Sequence, residues 1–106
     1  MIVVNRFRVP ENEQAAFRDD LERTRQALAA QVGYLRGSIG RNVDDPELWV
    51  LTTEWEGPGA YRRALSAYDV KLAAVPTLSR AIDEPSAYET IEPGTELNRP
   101  QARSLG

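Results

Sequence analysis

The stretch Leu48–Tyr68 constrains the fold of this chain more than any other segment. Its first part, up to Trp55, alternates apolar and β-branched residues with others, which is typical of a strand with one buried face. The segment Gly57-Pro58-Gly59 then ends the strand, because proline has no N–H to donate and glycine tolerates unusual backbone angles. A helix follows, since large side chains recur at helical spacing. These side chains are Tyr61, Leu65 and Tyr68.

The first residues of the chain predict a second strand. From Ile2 to Val9 the residues alternate between two faces, and one face is apolar except for Asn5. A buried amide at this position must find a hydrogen-bond partner in the protein, in water or in a ligand. Asn5 is therefore a candidate site residue, and the alternative reading is a satisfied polar group of the core.

An amphipathic helix is predicted between residues 10 and 33. Pro10 and the acidic residues after it are typical of a helix start, with Asn12 as the cap. Gly33 is the predicted C-terminal stop. The buried stripe has helical spacing and comprises Phe17, Leu21, Thr24, Leu28 and Val32.

The remaining segments complete the predicted element order. Residues 34–42 form a strand in which Gly37 and Gly40 indicate a bulge or a close approach. Residues 43–47 are a turn, so this strand and the next form an antiparallel hairpin. A further helix over residues 69–82, restarted at Pro76, precedes a last short strand over residues 86–91.

The order β-α-β-β-α-β, with its second helix split, predicts an α+β, ferredoxin-like fold with an antiparallel sheet. Helices cover only one face of such a sheet. We therefore expect a homodimer in which two sheets close on each other. The domain is expected to span residues 1–92, and residues 93–106 are expected to be a tail that is flexible or draped on the partner subunit.

Composition excludes several classes of function. The chain of 106 residues has a net charge of −3, which argues against nucleic acid as a partner. No apolar run approaches the length of about 20 residues that a membrane span needs, and no signal peptide is evident, so a cytoplasmic location is expected. The absence of cysteine and histidine removes disulfides, thiolate metal sites and histidine-based catalysis.

Several segments resemble the antibiotic biosynthesis monooxygenase (ABM) domain family. They are VVNRFRV, EQAAFRDDL, GYLRGSIGRNVDDPELWVLTTEWEGPGAYRRAL and SAYETI. The resemblance covers about residues 1–92 and implies a dimeric α/β barrel with a pocket between the sheet and the helices of each protomer. The family includes cofactor-independent monooxygenases that oxidise polycyclic aromatic phenols to quinones, quinol oxygenases and haem-degrading enzymes.

The resemblance also implies site residues. The haem-degrading branch uses a first-strand asparagine, a tryptophan after the third strand and a histidine that binds iron. Asn5 fits the asparagine position and Trp55 lies at the end of the third strand, but the histidine is missing, so haem degradation is rejected. By analogy with the phenol-oxidising branch, Asn5, Trp55 and Tyr61 are the candidate catalytic residues, and no cofactor is expected. The candidate substrate-binding residues are Phe7, Arg41, Trp49, Arg62, Tyr68 and Asp69.

Oxidation without a cofactor requires the substrate to become a phenolate, which hydrogen-bond donors and a nearby arginine stabilise. The proton acceptor stays open at this point, among Asp69, Glu54, a tyrosine and water. Two other classes of function also stay open. One is a dimeric, non-catalytic binding or accessory module that uses the same pocket. The other is a structural dimer whose aromatic residues only form the core.

Overall fold

The structure is a computed structural model, and it describes residues 1–97. Residues 98–106, which include most of the predicted tail, lie outside the described part. In chain order the elements are β1 (Ile2–Arg8), a 3₁₀ turn (Glu11–Glu13), α1 (Gln14–Ala29), β2 (Tyr34–Arg41), β3 (Leu48–Trp55), α2 (Pro58–Ser66), α3 (Tyr68–Ala73), α4 (Val75–Leu78) and β4 (Ala87–Tyr88). This order confirms the predicted α+β, ferredoxin-like fold.

The four strands form one antiparallel sheet in the order β2-β3-β1-β4. In the central pair, Asn5 lies opposite Leu51 and Phe7 lies opposite Trp49. The alternation of both central strands matches their burial, because odd-numbered residues of β1 and β3 are buried and even-numbered residues are partly exposed. The sheet is open within one chain, so a closed barrel requires a second copy.

The core lies between the sheet and α1. Phe7 of β1 contacts the Phe17 ring edge-on at a centroid distance of 5.1 Å, and Phe17 contacts Trp49 at 6.1 Å. Leu21 and Leu28 extend this contact along the helix. Burying aromatic and aliphatic side chains of this size is the main favourable term in folding a domain this small.

The helix ends differ from the sequence predictions. Asn12 forms no cap, because the helix begins after a 3₁₀ turn and Glu13 occupies the N-cap position without a side-chain hydrogen bond. Val32 is 86% exposed, since α1 ends before it and Gly33 reverses the chain with a φ of 90°. Tyr68 is 74% exposed, because the extended backbone at Ala67 breaks the helical phase.

Two strands also differ in detail from the expectation. The bulge in β2 lies between Tyr34 and Arg36, directly before Gly37 and not at a glycine. Gly37 is the predicted close approach, because a Cβ there would lie 2.5 Å from the Tyr34 hydroxyl. The last strand pairs with β1 only through Ala87 and Tyr88, so it is shorter than predicted.

The face of the sheet opposite the helices carries partly exposed apolar residues. Val4 of β1 and Val50 of β3 belong to this face, and no helix of residues 1–97 covers it. Pro76 lies in the first turn of α4, as predicted for a helix restarted by proline. Within the described residues, no helix has the length and apolar character needed to cross a membrane.

Candidate active site

A cavity of about 420 Å³ lies between β1 and the helices α2 and α4. Its volume falls within the range of about 300–1,000 Å³ that is usual for small-molecule sites. Asn5 and Tyr61, two of the predicted catalytic residues, both line it. Its apolar wall consists of Leu65, Val75, Leu78, Ala81 and Ile82, and the edge of β1 borders it at Val4. We call this space the Asn5 cavity.

Asn5 is the most informative group of the cavity. Its side chain is only 7% exposed, and its Oδ1 atom has no hydrogen-bond partner within residues 1–97. A buried polar atom without a partner costs about 1–3 kcal/mol relative to a satisfied one. Since native proteins satisfy nearly all buried polar groups, an exception beside a cavity indicates a ligand or a water as the missing partner.

Tyr61 faces the cavity because Trp55 supports it from behind. The Trp55 ring lies 5.4 Å from the Tyr61 ring and 5.3 Å from the Tyr34 ring, measured between centroids. Trp55 itself is 1% exposed, and its Nε1 donates to Thr53 Oγ1 at 2.8 Å. Trp55 therefore positions Tyr61 and does not line the cavity.

Burial raises the pKa of the Tyr61 hydroxyl above its ordinary value. The hydroxyl consequently keeps its proton at neutral pH and can donate a hydrogen bond to a ligand oxygen. The raised pKa also makes Tyr61 a poor proton acceptor. The proton acceptors that the sequence left open are therefore Asp69, Glu54, another tyrosine and water.

Among residues 1–97, one charged residue lines the Asn5 cavity, and it is Glu84. Arg6 holds its carboxylate with two hydrogen bonds, from Nε to Oε1 at 2.6 Å and from Nη2 to Oε2 at 2.7 Å. The hydrogen bond and charge of Arg6 hold the pKa of Glu84 below its ordinary range, so the carboxylate is ionised at neutral pH.

Arg41 and Trp49 lie together, but in a different place from Asn5. They line an open groove of about 670 Å³ between α1 and β2. Arg41 Nη1 donates to Gln14 Oε1 at 3.1 Å, which holds the guanidinium at the groove. The Trp49 side chain is 8% exposed, and its Nε1 has no partner within residues 1–97. The predicted catalytic residues Asn5 and Tyr61 and the predicted substrate-binding residues Arg41 and Trp49 thus line different surfaces.

The other predicted residues do not line the Asn5 cavity either. Phe7 is fully buried in the core against α1. Arg62 lies at a third depression, beside Met1 and Tyr88. Tyr68 and Asp69 are exposed on α3. A direct role in substrate binding stays a prediction for each of these residues.

Sequence reasoning missed Glu84 and the segment around it. The local pattern of residues 83–85 indicates only a turn, and nothing in it shows that the chain returns to the edge of β1. In the structure, Ile82 N–H donates to the Arg6 carbonyl at 2.8 Å and Val4 N–H donates to the Ser86 carbonyl at 2.7 Å. These hydrogen bonds place residues 82–86 along the free edge of β1, where they form one wall of the cavity.

No group of three or more acidic side chains in residues 1–97 is arranged to hold a metal ion. One acid of the β2–β3 turn has other partners. Asp45 pairs with Arg8 at 3.0 Å and accepts a hydrogen bond from the Glu47 N–H. This arrangement agrees with the reading of that segment as a turn.

The fold and the cavity define an α+β, ferredoxin-like domain with a cavity of small-molecule size between its sheet and its helices. Residues 1–74 match the family model described as antibiotic biosynthesis monooxygenase, and the chain belongs to this family. No significant match was found among curated protein sequences.

Solved structures of other proteins are similar over most of this chain. SnoaB, a cofactor-independent oxygenase from Streptomyces nogalater, is 26% identical with a TM-score of 0.72, covering 86% of this chain and 91% of that chain. A mutant of the same oxygenase is 28% identical with a TM-score of 0.67, and the match covers 76% of this chain and 82% of the mutant chain. Rv0793 from Mycobacterium tuberculosis is 14% identical with a TM-score of 0.68, and the match covers 89% of this chain and 97% of Rv0793. At this low identity the similarity supports the fold alone.

Proposed function

We propose that the protein is a monooxygenase that oxidises a polycyclic aromatic phenol or quinol with O₂ and without a cofactor. Family membership and the similarity to a cofactor-independent oxygenase support the reaction class. The single observation that carries the site is the buried Asn5 side chain, which lines a cavity and whose Oδ1 atom has no hydrogen-bond partner within residues 1–97. The reaction occurs in that cavity.

The walls suit a planar, mostly apolar ligand. Leu65 and Leu78 offer apolar contact, and Tyr61 offers both a ring and a hydroxyl donor. The substrate itself supplies the electrons for O₂ once it has lost a proton. Asn5 and Tyr61 then donate hydrogen bonds to the anionic oxygen in a site where little water competes, and this favours the charged intermediate.

The experiment measures oxygen consumption with a panel of anthrones and hydroquinones. Replacing Asn5 with Ala or Tyr61 with Phe removes one donor to the anion, which we expect to lower kcat by about 10²–10³-fold for a donor to a developing oxyanion. Tyr88→Phe is the matched control, because it removes the hydroxyl of an exposed tyrosine of β4 that does not line the Asn5 cavity. It should leave the rate unchanged.

The panel also separates the alternative functions. Stabilisation of the wild type by an aromatic compound without any turnover would indicate a non-catalytic binding module. If no compound is turned over and none raises the melting temperature, the assignment of the Asn5 cavity as a ligand site is wrong.

We also propose a homodimer formed through the uncovered face of the sheet. Val4 and Val50 lie on this face, and a second copy would bury them. Val50→Glu should shift the protein toward monomer in multi-angle light scattering, because it places a charge in the contact. Val32→Glu is the control, since Val32 is exposed away from the sheet. A wild type that is monomeric at micromolar concentration would refute the dimer.

A further inference from the structure

The groove between α1 and β2 is of ligand size, and the proposed reaction does not use it. Its volume of about 670 Å³ falls within the range of about 300–1,000 Å³ that is usual for small-molecule sites. We call it the Arg41 groove, and the residues that matter for its chemistry are Ala15 and Arg18 of α1, Ile39 and Arg41 of β2, and Trp49 of β3. None of these residues lines the Asn5 cavity.

The indole of Trp49 brings a buried donor to this groove. Trp49 is 8% exposed, and its Nε1 atom has no hydrogen-bond partner within residues 1–97. The other tryptophan, Trp55, does have an acceptor, because its Nε1 donates to Thr53 Oγ1. A buried indole N–H usually finds an acceptor, so a missing one beside a groove indicates that a ligand or a water supplies it.

The guanidinium of Arg41 lies next to this donor. Arg41 pairs directly with Trp49 across β2 and β3, and directly opposed residues of a sheet have Cβ atoms about 4.5–5.5 Å apart on the same face. Arg41 Nη1 donates to Gln14 Oε1 at 3.1 Å, and Gln14 Nε2 donates to the Pro46 carbonyl at 2.8 Å. The guanidinium is therefore held in place by a neutral amide, and most of its five N–H donors remain for a ligand.

The charges that line the groove leave a positive excess. Neither Arg18 nor Arg41 forms an ion pair within residues 1–97. Of the two acids that line the groove, Glu22 is paired with Arg25, which leaves Asp19 as the acid without an ion pair in the described part of the chain. Two unpaired cations against one unpaired acid favour a ligand with a single negative charge.

We propose that the Arg41 groove is a second ligand site, which binds a small monocarboxylate with an apolar or aromatic body. One carboxylate oxygen accepts from Arg41 and the other from Trp49 Nε1, so that both neighbouring donors are used. The body of the ligand packs on Ile39 and on the Trp49 ring, and the small side chain of Ala15 leaves room for it. This site is separate from the Asn5 cavity, so the inference does not rest on the proposed function.

The test follows the indole N–H resonances of the ¹⁵N-labelled full chain by NMR while 2-naphthoate is added. The chain has two tryptophans, so the two indole signals are readily assigned by triple-resonance experiments. The Trp49 signal should shift saturably, and 2-naphthamide, which has the same body and no charge, should bind at least about 10-fold more weakly. Arg41→Gln should raise the Kd of 2-naphthoate by about 10-fold or more, because it removes a charge-assisted hydrogen bond.

Two control variants make the result specific. Arg63→Gln removes an exposed arginine of α2 that does not line the groove, so the Kd should not change. Asn5→Leu alters the other cavity, and the shift of the Trp49 signal should survive it with the same Kd. Oxygen consumption by the wild type is measured separately, so a failure of the proposed function leaves this result standing.

Three results would overturn the proposal. The first is a Trp49 signal that does not move with 2-naphthoate, which would mean that water satisfies the indole. The second is an equal Kd for wild type and Arg41→Gln, or for the acid and the amide, because the groove would then not recognise a carboxylate. The third is a shift that Asn5→Leu abolishes and Arg41→Gln retains, which would place the ligand in the Asn5 cavity.

Discussion

Replacing Asn5 by Leu should stabilise the fold and abolish ligand binding. Asn5 lies between Val3 and Phe7 on the buried face of β1, opposite Leu51. Its Oδ1 atom has no partner within residues 1–97, so no hydrogen bond from those residues offsets the desolvation of this group. Leucine has nearly the same length and no polar atom. The adjacent cavity can accept the slightly larger volume of its two methyl groups.

The size of the expected stabilisation follows from the Asn5 Oδ1 atom, which has no partner within residues 1–97. An unsatisfied buried polar group costs about 1–3 kcal/mol, and burial of apolar surface at the same position adds a favourable contribution. Part of this gain is lost to repacking of neighbouring side chains. We therefore expect the free energy of unfolding to rise by about 1–2 kcal/mol, which corresponds to a melting temperature higher by roughly 5–10 °C in a domain of this size.

The assay is urea denaturation at a fixed protein concentration, with and without a dihydroxyanthrone. A ligand at 100 times its Kd stabilises the native state by about 2.7 kcal/mol, and the Asn5→Leu variant should lose this increment. Thr53→Val is the matched control on the same face of the sheet. Because Thr53 Oγ1 accepts the Trp55 N–H at 2.8 Å, its removal should destabilise the fold by about 1–3 kcal/mol.

The opposite result would refute the reasoning. If Asn5→Leu destabilises the protein as much as Thr53→Val does, the Asn5 amide is a satisfied part of the core. The main argument for a ligand in the cavity would then be lost.

Three further predictions concern stability. Gly37→Ala should lower the urea midpoint, since the new Cβ would lie 2.5 Å from the Tyr34 hydroxyl and displace that ring; an unchanged midpoint would contradict the close approach. Gly33→Ala should also destabilise the protein, by at least about 1 kcal/mol in thermal unfolding, because its φ of 90° strains any side chain. Arg8 lowers the pKa of Asp45, so their interaction stabilises the protein above the ordinary aspartate range and is lost on acidification. The difference in stability between wild type and Asp45→Asn should therefore shrink as the pH falls below about 4, and a difference independent of pH would exclude this ion pair.

The local sequence pattern was sufficient to predict the fold and part of the candidate site. The period-two alternation around Asn5 assigned this residue to the buried face of β1, and the Gly57–Gly59 segment marked the change from β3 to α2. The burial pattern of β1 and β3 agrees with the alternation residue by residue. Helix phase was less secure, because Tyr68 continues the spacing of Tyr61 but lies beyond a break at Ala67.

Which predicted residues share a surface was decided by long-range packing. Asn5 and Tyr61 meet at one cavity, whereas Arg41 and Trp49 line a groove against α1. The bulge between Tyr34 and Arg36 contributes to this division. A shift of one residue moves every later side chain of a strand to the other face, and the sequence of β2 does not specify where that shift occurs.

The sequence by itself determined the order of the elements, the buried face of each central strand and the family resemblance. These depend on periodicity and turn residues, which act over a few residues. Only the tertiary structure decided that Glu84 joins Arg6 across 78 residues of chain and closes the cavity beside Asn5. That contact depends on where the edge of β1 meets the returning chain, and a turn sequence carries no information about its distant partner.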